Sequence, residues 1–186
     1  TLGIPCYDTE ILEMASELSG INASFFFEAN EKINKGQIRI RNSKGAYTGR
    51  LYSVEDAKYL SDENLFNYQA EVIKSLALGG KQSCIIIGKA ANRIIGSLKN
   101  VVTVNIQAPM EVCVGNIVNR LQINTVEAKE KILQTNKYRA NYYRYYTGGT
   151  WDDPTEYDLT INPGAVGEDY AAQMIVDYLK YKGLTK

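Results

Sequence analysis

The order of apolar segments along the chain predicts an α/β protein built on a doubly wound parallel sheet. Two observations carry this expectation: short apolar or β-branched runs of strand length, and helix-periodic amphipathic stretches between them. Cys84-Ile85-Ile86-Ile87 is an unbroken apolar run ending at Gly88, Val101 to Ile106 is rich in β-branched residues, and Tyr157 to Asn162 is a third candidate strand. All three are expected to be mostly buried. Strands separated by helices pair in parallel, because a parallel sheet needs helical cover on both faces.

Taken in order, Ile4-Pro5-Cys6-Tyr7-Asp8 reads as a short strand leading into a helix from Thr9 to Leu18. Gly20 to Tyr59 is the least regular stretch. Gly36, Gly45 and Gly49 mark turns there around the alternating Ile38-Arg39-Ile40-Arg41, which reads as an inserted cap or hairpin. Asn64 to Leu78 places Leu65, Val72, Ile73 and Leu76 on one helical face, and Ser61-Asp62-Glu63 supplies a capped, acidic first turn. Ala90 to Leu98 reads as a short helix. Pro109 opens another that carries Val112, Val114, Ile117 and Val118, and Gly167 to Lys182 forms the last. Gly79-Gly80-Lys81-Gln82-Ser83 resembles a phosphate-binding loop only superficially: it follows a helix and precedes a strand, the reverse of what such a loop requires. It is more simply a helix C-cap.

With 186 residues, 45% of them apolar and 23% charged, the chain has the composition of one packed domain, residues 1–186. No apolar run is long enough for a membrane span, and Thr1-Leu2-Gly3-Ile4 does not open a secretory signal, so a soluble, cytoplasmic protein is expected. Cys6, Cys84 and Cys113 lie apart in apolar stretches and read as buried thiols rather than as a metal site or a disulfide framework. The absence of histidine removes the usual general base and any Ser-His or Cys-His pair, which makes whole classes of hydrolase poor candidates.

Lys and Arg together equal Asp and Glu at 21 each, so no global field attracts nucleic acid, and nucleic acid is not the expected partner. The charge is nevertheless unevenly placed. Lys32, Lys35, Arg39, Arg41, Lys44 and Arg50 form one patch without an acid. Arg120, Lys129, Lys131, Lys137, Arg139 and Arg144 form a second, interleaved at its end with Tyr138, Tyr142, Tyr143, Tyr145 and Tyr146. Either patch is a solvated face or an anion site; guanidinium forks suit phosphate, and aromatic faces suit packing or stacking.

Ligands of doubly wound sheets bind beyond the carboxyl ends of the strands. Asp8, Gly88-Lys89, Ala108-Pro109 and Asn162 fall there, and are expected along one sheet edge facing a common cleft. Asn92 and Arg93 follow Lys89 by about one turn, so two cations and an amide gather near that edge, where phosphate or carboxylate would suit them.

Tyr142-Tyr143-Arg144-Tyr145-Tyr146-Thr147-Gly148, then Trp151, then Tyr157 to Asn162, resembles the lid-to-last-strand segment of the cytidylate kinase-like family. Leu2 to Asp8 is similar to that family's second strand, and Ile85 to Asn92 to its third strand and the turn after it. The resemblance covers most of the chain outside about residues 25–60 and implies a P-loop fold of the nucleoside monophosphate kinase type. Residues of about 25–60 would then be a monophosphate-side insert, and about 120–150 a helical lid. It implies phosphoryl transfer from ATP, with Mg2+, to a nucleoside monophosphate such as cytidylate. It places Asp8, Lys89, Asn92 and Arg93 on the monophosphate side, gives Arg120, Arg139 and Arg144 catalytic roles in the lid, and puts Asn162 near the donor base. Lys89 and Tyr138 stand where the family usually has Arg, and Asn92 and Asn136 where it usually has Asp. A phosphotransferase and a non-catalytic nucleotide- or RNA-binding module derived from the same fold both fit. The resemblance also implies that a strand, a glycine-rich phosphate loop and a helix, on the order of 20 residues, precede Thr1.

Overall fold

The computed structural model describes residues 3–31, 47–79 and 82–185. Strand β1 (Cys6–Tyr7) leads into helix α1 (Glu10–Ser19), then α2 (Ala23–Glu31) and the long α3 (Asp62–Gly79). Strand β2 (Ile85–Ile86), the short α4 (Ala91–Ile95) and strand β3 (Val104–Ile106) follow. The chain continues through α5 (Met110–Leu121), α6 (Thr125–Thr147), a 3-10 turn (Pro154–Glu156), β4 (Leu159–Ile161), α7 (Pro163–Val166) and α8 (Glu168–Tyr181). These residues form two compact units, one spanning Thr1–Val101 with Ala140–Trp151, the other Val102–Arg139 with Asp152–Lys186.

In the first unit β1 pairs with β2 in parallel, Cys6 opposite Ile85 and Tyr7 opposite Ile86. Ladder bonds from Ile85 N–H to the Pro5 carbonyl and from Ile87 N–H to the Tyr7 carbonyl extend the pair at both ends. Its core joins Ile11, Leu12 and Ala15 of α1, Phe26 of α2, Leu65, Val72 and Ile73 of α3, and Ala91 and Ile95 of α4. Helix α3 forms where its apolar spacing predicts, with the Ser61 hydroxyl accepting from the Asn64 N–H and with Asp62 and Glu63 in the first turn. Beside this core lies an aromatic cluster of Phe66, Tyr143 and Tyr146, flanked by Tyr47, Tyr142, Tyr145 and Trp151. Phe66 and Tyr146 stack with centroids 4.0 Å apart and planes within 5°.

In the second unit β3 pairs with β4 in parallel, Val104 opposite Leu159, Asn105 opposite Thr160 and Ile106 opposite Ile161. The Asp158 carboxylate accepts from both the N–H and the hydroxyl of Thr103, and the Asp158 N–H donates back to the Thr103 hydroxyl, so the entrances of the two strands are tied together.

The parallel pairing is as expected, but the single doubly wound sheet is not: the described strands form two separate two-stranded sheets. The protein is mixed α/β, helix-rich, with small parallel sheets. Nor are the strands mostly buried. Ile85, Ile87 and Ile106 are each about half exposed, since a two-stranded sheet leaves one face of each strand without a layer over it. Of the three cysteines expected to be buried, Cys6 is exposed and Cys84 and Cys113 are half-buried. Helix α2 stands inside the stretch read as irregular: Phe25-Phe26-Phe27 has no helical periodicity in sequence, and of these three rings only Phe26 is buried. The hairpin around Ile38 to Arg41 lies outside the described residues, as does Gly80 of the expected C-cap. No helix among the described residues is long and apolar enough to cross a membrane.

Candidate phosphate-binding site

The parallel pairing of β1 with β2 brings Asp8 and Lys89 together at the carboxyl ends of the two strands. Lys89 Nζ lies 3.4 Å from Asp8 Oδ1. The lysine side chain is 8% exposed and the aspartate 53%. An ammonium carries three donors, and Asp8 is the only partner of this one among the described residues. A cation so withdrawn from water, held by one half-exposed carboxylate, is under-compensated, and a second anion would find two N–H groups ready. Asp8 is itself steadied from behind, its backbone N–H donating to the Glu10 carboxylate at 2.9 Å, a bond that holds Glu10 below the usual carboxylate range.

The turn that carries Lys89 is unusual. Gly88, Lys89 and Ala90 have successive φ values of 70°, 51° and 53°. Glycine accepts this left-handed region freely, but Lys89 and Ala90 do so against their own Cβ atoms. Ala90 is buried in the aromatic cluster, and the Asn92 side-chain amide donates to the Tyr143 hydroxyl at 2.8 Å. Arg93 is exposed on the outer side of α4.

The other predicted residues belong to other elements. Ala108-Pro109 and Asn162 follow the ends of β3 and β4, so they share the end of their own sheet, while Asp8 and Lys89 share the end of another. The residues expected along the edge of one sheet thus belong to two sheets. Pro109 precedes α5 as its N-cap. Asn162 caps α7, its side-chain oxygen accepting from the Gly164 N–H at 3.0 Å. Arg120 lines a shallow hollow of about 460 Å3 with Asn116, Ile117, Asn119 and Glu168. Arg139 and Arg144 are exposed on α6, a helix of 23 residues. Tyr138 is exposed beside Arg139, and Asn136 is half-buried.

Sequence reasoning did not single out Tyr143, which the structure joins to Asn92. Its signal was present in the tyrosine-rich run, but nothing in that run distinguishes the tyrosine that meets α4 from those that only pack.

Fold and site together define a mixed α/β protein with a withdrawn cation at the carboxyl ends of a parallel strand pair. Residues 1–165 match the cytidylate kinase-like family, and the chain belongs to that family. Membership points to a kinase-like function and to nucleotides as the substrate class. Among solved structures, that of an uncharacterized protein from Eubacterium ventriosum ATCC 27560 is similar, with a TM-score of 0.68 and 21% identity over 96% of this chain and 85% of that one. At that identity the likeness concerns the fold alone. No curated protein matches the chain.

Proposed function

We propose that this protein transfers the γ-phosphoryl group of ATP to a nucleoside monophosphate, with cytidylate as the acceptor. The observation that carries the reading is Lys89: a cation 8% exposed, at the end of a parallel strand pair, with one carboxylate partner among the described residues. The acceptor's phosphate supplies the anion that this ammonium lacks, and Asp8 keeps the amine aimed. Lys in place of Arg preserves charge but grips a phosphate at one point rather than through a planar fork. Arg93 adds a second cation on α4. The exposed Arg120, Arg139 and Arg144 fit the role of lid cations that stabilise charge on the transferring group. Asn162, its side-chain oxygen taken by the cap, would reach a donor base chiefly through its main chain.

ATP with Mg2+ would supply the phosphoryl group and the metal's charge neutralisation. Such a metal is held mostly by phosphate oxygens with one or two carboxylates, and Asp8 is the carboxylate beside Lys89.

The alternative, a non-catalytic nucleotide- or RNA-binding module, is favoured by the exposed Tyr138 beside Arg139 on a basic stretch of α6, an arrangement suited to base stacking. A coupled ADP-release assay on the full natural protein, with ATP, Mg2+ and each ribonucleoside monophosphate, separates the two. Turnover with cytidylate is expected. Nucleotide or RNA binding without any ADP release would favour the binding module instead.

A further inference from the structure

We infer that Tyr143 is a positioning residue for Lys89, acting through Asn92 and Ala90 to hold the turn from which the ammonium projects; this rests on the phosphotransfer reading above. The left-handed turn Gly88-Lys89-Ala90 includes two residues that do not favour that conformation, and such a turn persists only where its surroundings hold it. Bonds from the Arg93 and Ile94 N–H groups to the Ala90 carbonyl continue it into α4, and three further features hold it. The Ala91 N–H donates to the Gly88 carbonyl at 3.0 Å, a local bond that closes the turn from within. Ala90 is buried in the same hydrophobic cluster as Phe66, Ala70, Tyr143 and Tyr146. The Asn92 amide donates to the Tyr143 hydroxyl at 2.8 Å, across 51 positions of sequence.

The last comes from outside the turn, from Tyr143, which also belongs to the cluster that buries Ala90. Its own place is fixed in turn. The Tyr146 carbonyl accepts from the Tyr47 N–H at 2.9 Å, the Tyr146 hydroxyl donates to the Asp62 carbonyl at 3.1 Å, and the Tyr146 ring stacks on Phe66 of α3. The end of α6 is thereby fastened to α3, and the Tyr143 hydroxyl becomes a fixed post to which α4 is tied. Lys89 is three positions before Asn92 in the same turn, so the aim of its ammonium toward Asp8 depends on a hydroxyl that does not touch it. Arg144 is the next residue along α6, so the helix that steadies the acceptor-side cation also carries a proposed lid arginine.

The test is a double-mutant cycle on the full natural protein, read by calorimetric titration with the four ribonucleoside 5′-monophosphates, the tightest binder being used for the cycle. Tyr143→Phe removes the hydroxyl but keeps the ring, and Lys89→Ala removes the cation. Each single change is expected to weaken monophosphate binding by about tenfold, and the double variant to bind no more weakly than Lys89→Ala alone, as for groups acting through one another. A merely structural loss at Tyr143 would multiply with that of Lys89→Ala. Asn92→Ala, which removes the donor from the other side, repeats the cycle should Tyr143→Phe fail to fold, and is expected to match it. A strong effect of Lys89→Ala with none of Tyr143→Phe, or with independent losses that multiply, would overturn the positioning role and leave the functional reading intact. Binding unaffected by Lys89→Ala, or no binding by the wild type, would overturn both.

Discussion

Asn64, on the first turn of α3, is fully buried and uses its side-chain amide as a substitute strand partner. Its oxygen accepts from the Tyr52 N–H at 2.8 Å, and its NH2 donates to the Tyr52 carbonyl at 3.1 Å and to the Tyr59 carbonyl at 2.8 Å. Asn67, one turn on, does the same for neighbouring backbone, accepting from the Gly49 N–H and donating to the Arg50 carbonyl. Asn64→Ala would remove three hydrogen bonds, each worth about 1 kcal/mol net. The Tyr52 carbonyl keeps the Tyr68 hydroxyl at 3.3 Å, but the Tyr52 N–H is left without a partner, at a further cost of about 1–3 kcal/mol. The expected loss is about 4–6 kcal/mol, a large part of the 5–15 kcal/mol typical of a domain. Asn64→Asp keeps the acceptor but sets a buried carboxylate against two carbonyl oxygens. Its cost is therefore greatest at neutral pH and falls as the acid is protonated. Urea unfolding followed by far-UV circular dichroism measures both. A loss under about 1 kcal/mol at unchanged m-value for Asn64→Ala would refute the clamp.

Phe66→Ala should cost about 3–5 kcal/mol by emptying the centre of the aromatic cluster and should reduce the near-UV dichroism of its tyrosines; thermal melts and near-UV spectra check this. At Asp158, burial pushes the carboxyl upward, but the Thr103 N–H and hydroxyl and the Lys182 ammonium outweigh it and hold the group below its ordinary range. A lowered folded value means that its contribution is fully present above the unfolded pKa near 4 and is lost as pH falls through the lowered value. Asp158→Asn should therefore be less stable than wild type at pH 7, with the gap closing in acid, as stability measured against pH would show. Arg139→Ala and Arg144→Ala should each lower turnover by at least about tenfold in the ADP-release assay while leaving the melting temperature nearly unchanged, since both side chains are exposed. Unchanged kinetics in both would remove them from the lid.

The elements were largely legible because their signals are local. Helix α3 follows from its apolar spacing and acidic first turn, and β2 to β4 fall inside the three apolar runs, trimmed to two or three residues each. What was not legible depends on partners distant in sequence. Apolar runs specify strands but not which sheet they join, so one sheet and two small ones read alike. The Phe25-Phe26-Phe27 run gives no helical period, although its middle ring is fully buried. At the site, Asp8 and Lys89 were predictable as strand-end residues, and the structure pairs them. The cap made by Asn162 is equally local, an Asn before Pro163 and Gly164, although the sequence reading gives Asn162 a strand end and a place near the donor base instead. Left-handed backbone at Lys89 and Ala90 leaves no mark in the sequence, because neither residue type favours it. The bond from Asn92 to Tyr143 joins residues far apart in the chain and becomes visible only in three dimensions.

The central claim is that Lys89 receives the acceptor's phosphate, and a crystal structure of the full natural protein bound to cytidylate tests it most directly. The account predicts a phosphate oxygen about 2.7–2.9 Å from Lys89 Nζ, at the carboxyl ends of β1 and β2 beside Asp8. Cytidylate ordered elsewhere in the structure, with Lys89 still paired to Asp8 alone, would contradict it.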